Sequence, residues 1–277
     1  MQAEPKPVLQ VNSEARRWAR WDGFLTVAAL AILLFYLLAP PHSLLDKADR
    51  AAYAVCHRIP ARSFAYAGRP LPLCARCSGT YLGAVAGLIA LTACGRRRAS
   101  RLPVPAILAV LGVFLLAWAI DGFNSFLTLI PGLPYLYEPS NLLRLVTGTL
   151  EGLALAALLL PLANLTLWAD PDPRRSIGSW RDLWWLLVAA AAVIALVSSA
   201  WPPLLYPLAI LSELAILGLV GLVNTMFVLM LMRREGKAMR TREALLPLLL
   251  GLALAAVELT AIGLARAALT ERLGLPL

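Results

Sequence analysis

Residues 204–232 read LLYPLAILSELAILGLVGLVNTMFVLMLM and decide the fold class of this chain. The stretch contains one acid, Glu213, and no basic side chain. A membrane-spanning helix needs about 20 apolar residues, so this stretch predicts one. Only the tripeptide Trp-Pro-Pro at 201–203 separates it from a second apolar run at 182–201. Because consecutive prolines interrupt a helix, the two runs predict a tight hairpin of membrane helices.

The whole chain has the composition of a membrane protein. Of its 277 residues, 60% are hydrophobic and 15% are charged, against roughly 25% charged in soluble domains. Its mean hydropathy is +0.74. We therefore predict an all-α, polytopic transmembrane bundle of about seven spans whose main partner is the lipid bilayer. The predicted spans are 23–39, 78–95, 104–121, 141–165, 182–201, 204–232 and 244–269.

Basic residues indicate the orientation of these spans. Residues 1–22, 96–103, 166–181 and 233–243 carry sixteen of the 25 Lys and Arg residues, and they alternate with less basic loops. Cytoplasmic loops are enriched in Lys and Arg, which predicts a cytoplasmic N-terminal segment at 1–22 and an external C-terminus. The loop at 41–77 has six basic residues, but we place it outside because the opposite orientation would misplace four basic segments. The net charge of +9 comes without a nucleic-acid-binding motif, so we expect no nucleic-acid partner.

The first apolar run, at 23–39, predicts a signal anchor that stays in the protein. It follows polar, mixed residues and is long enough to cross a bilayer, whereas a cleavable signal peptide has a shorter apolar core. We therefore expect a multi-pass protein of the cell membrane.

The loop at 41–77 concentrates side chains that bind soft metals or exchange disulfides. Cys56, His57, Cys74 and Cys77 fall within 22 residues, and three cysteines with one histidine are a common zinc ligand set. Zinc or copper is the cofactor that this set would hold, although adjacent residues such as Cys56 and His57 seldom bind the same ion. Cys94 lies at the other end of the span at 78–95, so we predict that it is a buried apolar residue outside the group.

Three interpretations of these cysteines remain open. Cys74 and Cys77 directly precede or begin a helix, where the helix dipole lowers thiol pKa values and favours the thiolate. A thiolate serves metal binding and disulfide exchange alike. The group is therefore a metal site, a catalytic dithiol, or a structural disulfide between Cys56 and one of the other two, which would leave a third thiol unpaired.

Two short elements are predicted in the same loop. Residues 43–55 have an apolar face and predict an interfacial helix, with Ser43 and Asp46 as a capping pair. Gly-Arg-Pro at 68–70 predicts a turn.

Glycine repeats predict close contacts between helices. Gly79, Gly83 and Gly87 recur every four residues on the second span, and Gly148 and Gly152 do so on the fourth. Small residues at this spacing allow membrane helices to approach closely. These faces predict contacts with other helices or an oligomer contact.

Ionisable residues inside the spans are the third functional signal, because charges at such depth are costly and mark polar pathways or internal pairs. Asn141, Arg144 and Glu151 share one face of the fourth span at 3.6 residues per turn, and we expect an ion pair of Arg144 with Asp121 or Glu151. Acids without an evident basic partner predict a wet cavity or a cation path. The intramembrane polar candidates are Asp121, Asn141, Arg144, Glu151, Glu213 and Glu258.

The chain resembles a prokaryotic membrane family called domain of unknown function 2085. The resemblance rests on CHRIP at 56–60 and PLPLCARCSGTYLG at 70–83, and on a second block that includes SNLLR at 140–144. It covers about residues 25–165 and implies a compact helical core with the Cys/His loop as its hallmark, but no particular activity. We therefore divide the chain into the segment 1–22, a four-helix core at 23–165, and an additional three-helix region at 166–277.

The leading functional hypothesis is a membrane protein that binds a thiophilic metal ion outside and handles or transports a cation. The first alternative is a membrane thiol–disulfide oxidoreductase that works with a quinone, for which a second external cysteine pair is missing. The second alternative is a non-catalytic assembly subunit with a structural Cys/His loop. Whether the protein is an enzyme thus stays open at this stage.

Overall fold

A computed structural model describes residues 8–273, with side chains from 21 to 272. Residues 1–7 of the predicted cytoplasmic segment and residues 274–277 at the end of the three-helix region lie outside the described part. Within it the chain forms eight α-helices: α1 (Val8–Leu38), α2 (Leu44–Val55), α3 (Ala75–Ala93), α4 (Pro105–Leu127), α5 (Asn141–Leu167), α6 (Trp180–Ser198), α7 (Leu205–Met232) and α8 (Thr241–Leu273).

The prediction of a polytopic helical membrane protein is confirmed. Six of the described helices are long and apolar enough to cross a membrane, and they coincide with six of the predicted spans. The other predicted span, at 78–95, is α3, which has 19 residues but is less apolar because Arg76 and several small polar residues occupy its first turns. The hairpin is also found: α6 ends at Ser198, and a 3₁₀ helix, Pro202–Leu204, leads into α7.

Helices α3 and α5 form the centre of the bundle, and glycines set their distance. A Cβ atom on Gly148 would lie 2.2 Å from the carbonyl oxygen of Arg76, and one on Gly79 would lie 2.5 Å from that of Leu145. The predicted close packing is therefore present, with both glycine faces turned toward each other inside one chain. The predicted oligomer contact through these faces stays a prediction.

The basic loops meet at one end of the bundle. Strand β3 (Ala99–Arg101), after α3, pairs in parallel with β4 (Asp172–Arg175), after α5. Trp168 at the end of α5 bridges to Ala238 after α7, and Arg234 of the same segment pairs with Asp22 on α1 at 2.9 Å. The alternation of basic and less basic loops thus corresponds to two physical ends of the molecule.

The loop at 41–77 is folded over the opposite end. The predicted helix is α2, but Ser43 makes no side-chain capping hydrogen bond, so the predicted capping pair is wrong. The turn predicted at 68–70 begins one residue earlier, at Ala67, where it connects two short strands. Ala67 and Gly68 both have positive φ values and connect β1 (Ala65–Tyr66) to β2 (Arg69–Pro70). Two such residues are what a two-residue type I′ hairpin turn requires.

Candidate functional site

Three thiols converge where α2 ends and α3 begins. The Sγ atoms of Cys56, Cys74 and Cys77 all lie within 4.8 Å of one another. Cys56 directly follows the last residue of α2, Cys74 is the N-cap residue of α3, and Cys77 lies in its first turn. None of the three forms a disulfide in the structure. We call these three residues the thiol cluster.

The other two candidate soft ligands lie apart from the thiol cluster. His57 is exposed and does not belong to the group of ligand atoms that the three thiols form. Adjacent residues in the extended chain after α2 point in different directions, which explains why the histidine turns to solvent while Cys56 is buried. Cys94 follows the last residue of α3, about 30 Å along the helix from Cys74, so it lies outside the group as the sequence predicts, but it is half-buried rather than buried.

Ion pairs hold the loop that brings Cys56 to residues 74–77, Cys-Ala-Arg-Cys, which we call the CXXC segment. Arg58 has a positive φ of 55°, and its guanidinium donates to the carbonyl oxygen of Pro72 at 3.1 Å and to Asp49 on α2 at 2.6 Å. Arg69 of the hairpin pairs with Asp46 and Asp49 at 3.0 and 3.1 Å. These contacts connect both ends of the loop to α2, so the spacing of the cysteines is fixed by side chains outside the cluster.

A residue far along the chain fixes the backbone of Cys56. Arg266 on α8 donates from one nitrogen to the carbonyl oxygens of Tyr53 and Cys56, at 2.7 and 2.6 Å. Its guanidinium also stacks over the Tyr53 ring at 4.3 Å. The last carbonyl groups of a helix lack partners within the helix, and Arg266 supplies them for α2.

Hydrogen bonding within the thiol cluster favours one thiolate. The pKa of Cys56 lies well below its ordinary value because the Cys74 and Cys77 side chains donate hydrogen bonds to it. The backbone N–H of Cys74 also donates to the Cys56 sulfur at 3.4 Å. The pKa of Cys74 is raised in turn, mainly by its hydrogen bond to Cys56, so the lowered pKa expected from its position at a helix N-terminus is not found. Cys56 is therefore the first of the three to lose its proton.

An apolar shell surrounds the thiol cluster. Buried residues from four helices or their ends pack around Cys56, which is 3% exposed. The cost of burying uncompensated charge is high, so three thiolates in this shell require a bound cation, or else two of the groups stay protonated. The fully or almost fully buried members of the shell are Ala52, Leu73, Ile216 and Leu259.

The structure gives Asp121 a different partner from the expected one. Asp121, 1% exposed, forms an ion pair with Arg76 of the CXXC segment and accepts a hydrogen bond from Tyr137 at 3.0 Å. Arg144 instead donates to Asn141 at 2.8 Å and to Ser125 at 3.3 Å. Arg144 forms no ion pair with a described acid. The expected ion pair is wrong because Arg76, in the first turn of α3, reaches the carboxylate of Asp121.

The three deep acids lie on three helices with separate neighbours. Glu151 on α5 is buried, and its Oε2 atom has no hydrogen-bond partner among the described residues. Glu213 on α7 accepts from the Tyr36 hydroxyl at 3.2 Å. Glu258 on α8 accepts from Asn224 at 2.8 Å. Glu151 is thus the acid whose bonding capacity is least satisfied by its surroundings.

One buried polar residue near the site, Lys47, was not predictable from the sequence. Lys47 on α2 is almost completely buried, donates to the carbonyl oxygen of Ala39 at 2.6 Å and interacts electrostatically with Glu213. It is the basic neighbour that Glu213 lacked in the sequence. Its position on the polar side of a predicted interfacial helix gave no sign of burial, because burial depends on how α2 sits against α7.

Comparison with known proteins supports the family resemblance. The family model described as "predicted membrane protein", domain of unknown function 2085, matches residues 56–158. An uncharacterized protein of Methanothermobacter thermautotrophicus is 33% identical over 113 residues, which are 41% of this chain and 91% of the relative. An uncharacterized protein of Methanocaldococcus jannaschii is 28% identical over 150 residues, 49% of this chain and 90% of the relative. No solved structure matches the chain.

The matched region begins at Cys56 and ends within α5. It therefore contains the whole thiol cluster, the ion pair of Arg76 with Asp121, and the glycine contact between α3 and α5. This chain belongs to the family of membrane proteins called domain of unknown function 2085.

Proposed function

We propose that the protein binds a thiophilic metal ion through Cys56, Cys74 and Cys77 and handles it as a cation at the membrane face that the sequence predicts to be external. One observation carries the proposal. Three thiols from two helix ends, none of them in a disulfide, lie within 4.8 Å of one another. In sequence, Cys56 is 18 residues from Cys74 and 21 residues from Cys77.

The spacing of the sulfurs suits a metal ion. With a Zn–S bond of about 2.3 Å, two sulfurs of a tetrahedral site lie about 3.8 Å apart. A trigonal site with three sulfurs at the same bond length places them about 4.0 Å apart. Both distances fall inside the 4.8 Å limit of the thiol cluster, so small side-chain movements are sufficient to bind the ion.

The donor set restricts the choice of metal. Soft thiolate ligands favour zinc and monovalent copper over magnesium, calcium or manganese. Three thiolates complete a trigonal copper site but leave one position of a tetrahedral zinc site open. Such an open position is typical of sites that exchange a ligand, which is what a protein that passes on its ion needs.

The cation-handling part of the proposal rests on what lies beside the cluster. Tyr81, two turns or less from the cysteines on α3, interacts electrostatically with Cys56, Cys77 and Glu151. Glu151 has an unsatisfied oxygen and is the acid that shares the neighbour Tyr81 with the thiol cluster, so we take it as the first step of the path. Glu213 and Glu258 are candidates for later steps.

Metal content tests the binding step. Full-length protein, purified without chelator or reductant, should contain about one zinc or copper per chain by mass spectrometry, and Cys74→Ser should lose it. Cys94→Ser is the matched control, since it removes a thiol at the other end of α3, about 30 Å away, and should retain the metal. Metal far below one per chain in the wild type after zinc or copper loading would refute metal binding.

Transport is tested separately in proteoliposomes. Zinc or copper uptake should fall in Glu151→Gln, while metal content stays at the wild-type level. Unchanged uptake in single and combined Gln variants of Glu151, Glu213 and Glu258 would remove the cation path and leave only a metal-binding site.

A specific observation also favours the oxidoreductase alternative. Cys74 and Cys77 lie at the N-terminal end of α3, within reach of Cys56 for disulfide exchange. Metal-free protein with two thiols missing, whose Cys77→Ser variant no longer oxidises a reduced substrate in the presence of quinone, would support it. A purely structural role predicts lower folded yield for Cys74→Ser and no effect of the acid variants.

A further inference from the structure

Three arginine side chains meet at Ser125, beside the thiol cluster. Arg62 donates to the Ser125 carbonyl oxygen at 2.9 Å, Arg76 donates to its hydroxyl at 2.9 Å, and Arg144 donates to the same hydroxyl at 3.3 Å. Ser125 itself is 1% exposed. Three guanidinium groups are therefore held within a few ångströms of one another, although like charges repel.

The local acids do not balance this charge. Asp121 is the carboxylate that contacts the group, and it pairs with Arg76. Arg62 makes its hydrogen bonds to Ser125 and Thr128, which are neutral. Arg144 makes its bonds to Ser125 and Asn141, which are also neutral. Three positive charges thus contact one carboxylate among the described residues, and Cys74 of the thiol cluster is a further electrostatic neighbour of Arg62 and Arg144.

Burial makes the excess charge costly. Arg144 is 6% exposed and lies in the first turn of a membrane helix, where an uncompensated charge is expensive. A guanidinium has five N–H donors. In the described part of the chain Arg62 uses only Nη2, and Arg144 uses Nε and Nη1. The remaining donors of both side chains are available to an external acceptor.

We propose that Arg62 and Arg144 bind a phosphate group, with Arg76 contributing positive charge while it stays paired with Asp121. Guanidinium forks match the geometry of phosphate oxygens and can bind them in pairs. A group with several acceptor oxygens can accept from both forks at once. The proposal does not depend on metal binding at the thiol cluster, so either one can fail without the other.

Two sources can supply this phosphate chemistry. Phe123 and Phe126, which flank Ser125 on α4, are 64% and 54% exposed and offer an apolar surface for acyl chains next to the arginines. This favours the headgroup of an anionic lipid. Free inorganic phosphate would need only the arginines.

The experiment uses the full-length protein in an uncharged detergent, with two probes. Inorganic phosphate is titrated by equilibrium dialysis with radiolabelled phosphate, and phosphatidylglycerol is added in defined ratios and counted by native mass spectrometry. We expect one saturable site for at least one probe. Arg62→Gln should weaken it about tenfold or more, as expected for the loss of a charge-assisted hydrogen bond.

Arg69→Gln is the matched control. Arg69 lies in the same loop as Arg62 and carries the same charge, but it is paired with two carboxylates. Its replacement should therefore leave the affinity of the protein for either probe within about twofold of the wild-type value. Arg144→Lys provides a second variant, which keeps the buried charge and removes only the fork.

The two probes distinguish the two sources of the phosphate group. Arginine-dependent binding of phosphatidylglycerol alone assigns the site to a lipid headgroup, and arginine-dependent binding of inorganic phosphate assigns it to the free anion. The proposal is overturned if neither probe binds the wild type, if Arg62→Gln and Arg144→Lys bind like the wild type, or if Arg69→Gln weakens binding as much as Arg62→Gln does.

Discussion

Gly148→Ala should disrupt the molecule at its central helix contact. The added Cβ atom would lie 2.2 Å from the carbonyl oxygen of Arg76, whereas ordinary van der Waals contact begins at 3.4 Å. The obstacle is helix backbone, which cannot rotate away as a side chain can. Helix α3 would have to move by about 1 Å relative to α5, and closely packed interiors transmit such a shift to their neighbours.

The size of the effect follows from the cost of overpacking. Extra methyl groups in a well-packed core cost about 1–3 kcal/mol, occasionally more, and a backbone obstacle places this case at the upper end. For a chain of this size, each kcal/mol corresponds to a shift of roughly 2–4 °C in melting temperature. We therefore expect the apparent melting temperature in detergent to fall by about 5–10 °C.

Gly112→Ala on α4 is the control, because nothing lies within 4 Å of a Cβ atom at that position. It makes the same chemical change in another membrane helix and should keep or slightly raise the melting temperature, since alanine favours helix more than glycine. Thiol accessibility, measured by the rate of maleimide labelling, gives a second readout, and it should rise in Gly148→Ala as Cys74 and Cys77 move away from Cys56. Equal melting temperatures and labelling rates in the two variants would refute the reasoning.

Two further predictions concern buried polar groups. Asp121→Asn leaves Arg76 without its carboxylate in a buried site and should cost about 3–5 kcal/mol, seen as lost folded yield on size-exclusion chromatography. As a control, Asp172→Asn breaks the exposed ion pair with Arg174 and should lower the free energy of unfolding by less than about 1 kcal/mol. Similar folded yields of the Asp121 and Asp172 variants would contradict the prediction. Burial raises the pKa of Tyr66 to about 12, so the unfolded chain ionises first and stability should fall by about 3 kcal/mol between roughly pH 10 and pH 12. Tyr66→Phe should remove this loss in alkaline melting curves, and an identical pH dependence in the variant would argue against it.

The helices were predictable because their signals are local. Apolar runs, proline breaks and basic loops identify the spans without knowledge of their neighbours, and six of them reappear as long apolar helices. The glycine faces at 79–87 and 148–152 were also predictable as contact surfaces. That these two faces contact each other was not, because a periodic pattern identifies a face but not its partner.

The candidate site was predictable in its ligands but not in its surroundings. The sequence grouped Cys56 with Cys74 and Cys77, and the structure brings their sulfurs together. The sequence also included His57, which the structure leaves exposed. The contact of Arg266 was not predicted because this residue is 210 residues from Cys56. The ion pair of Arg76 with Asp121 was not predicted either, because the two residues lie on different helices and share no sequence motif. Long polar side chains reach across several ångströms, so sequence spacing constrains their partners weakly.

Helix α3 couples the two candidate sites. Its first turn carries Cys77 and Arg76 on different sides, so one helix end supplies both the thiol cluster and the arginine group. Its glycines hold that end against α5, which supplies Arg144. Any movement of α3 along α5 must therefore change the sulfur distances and the spacing of the arginines together.

The shell and backbone contacts around Cys56 include Ile216, Leu259 and Arg266, which lie outside the family match at 56–158. The second half of the chain thus encloses a site whose ligands all come from the family region, and it can limit access to the thiols without supplying any of them.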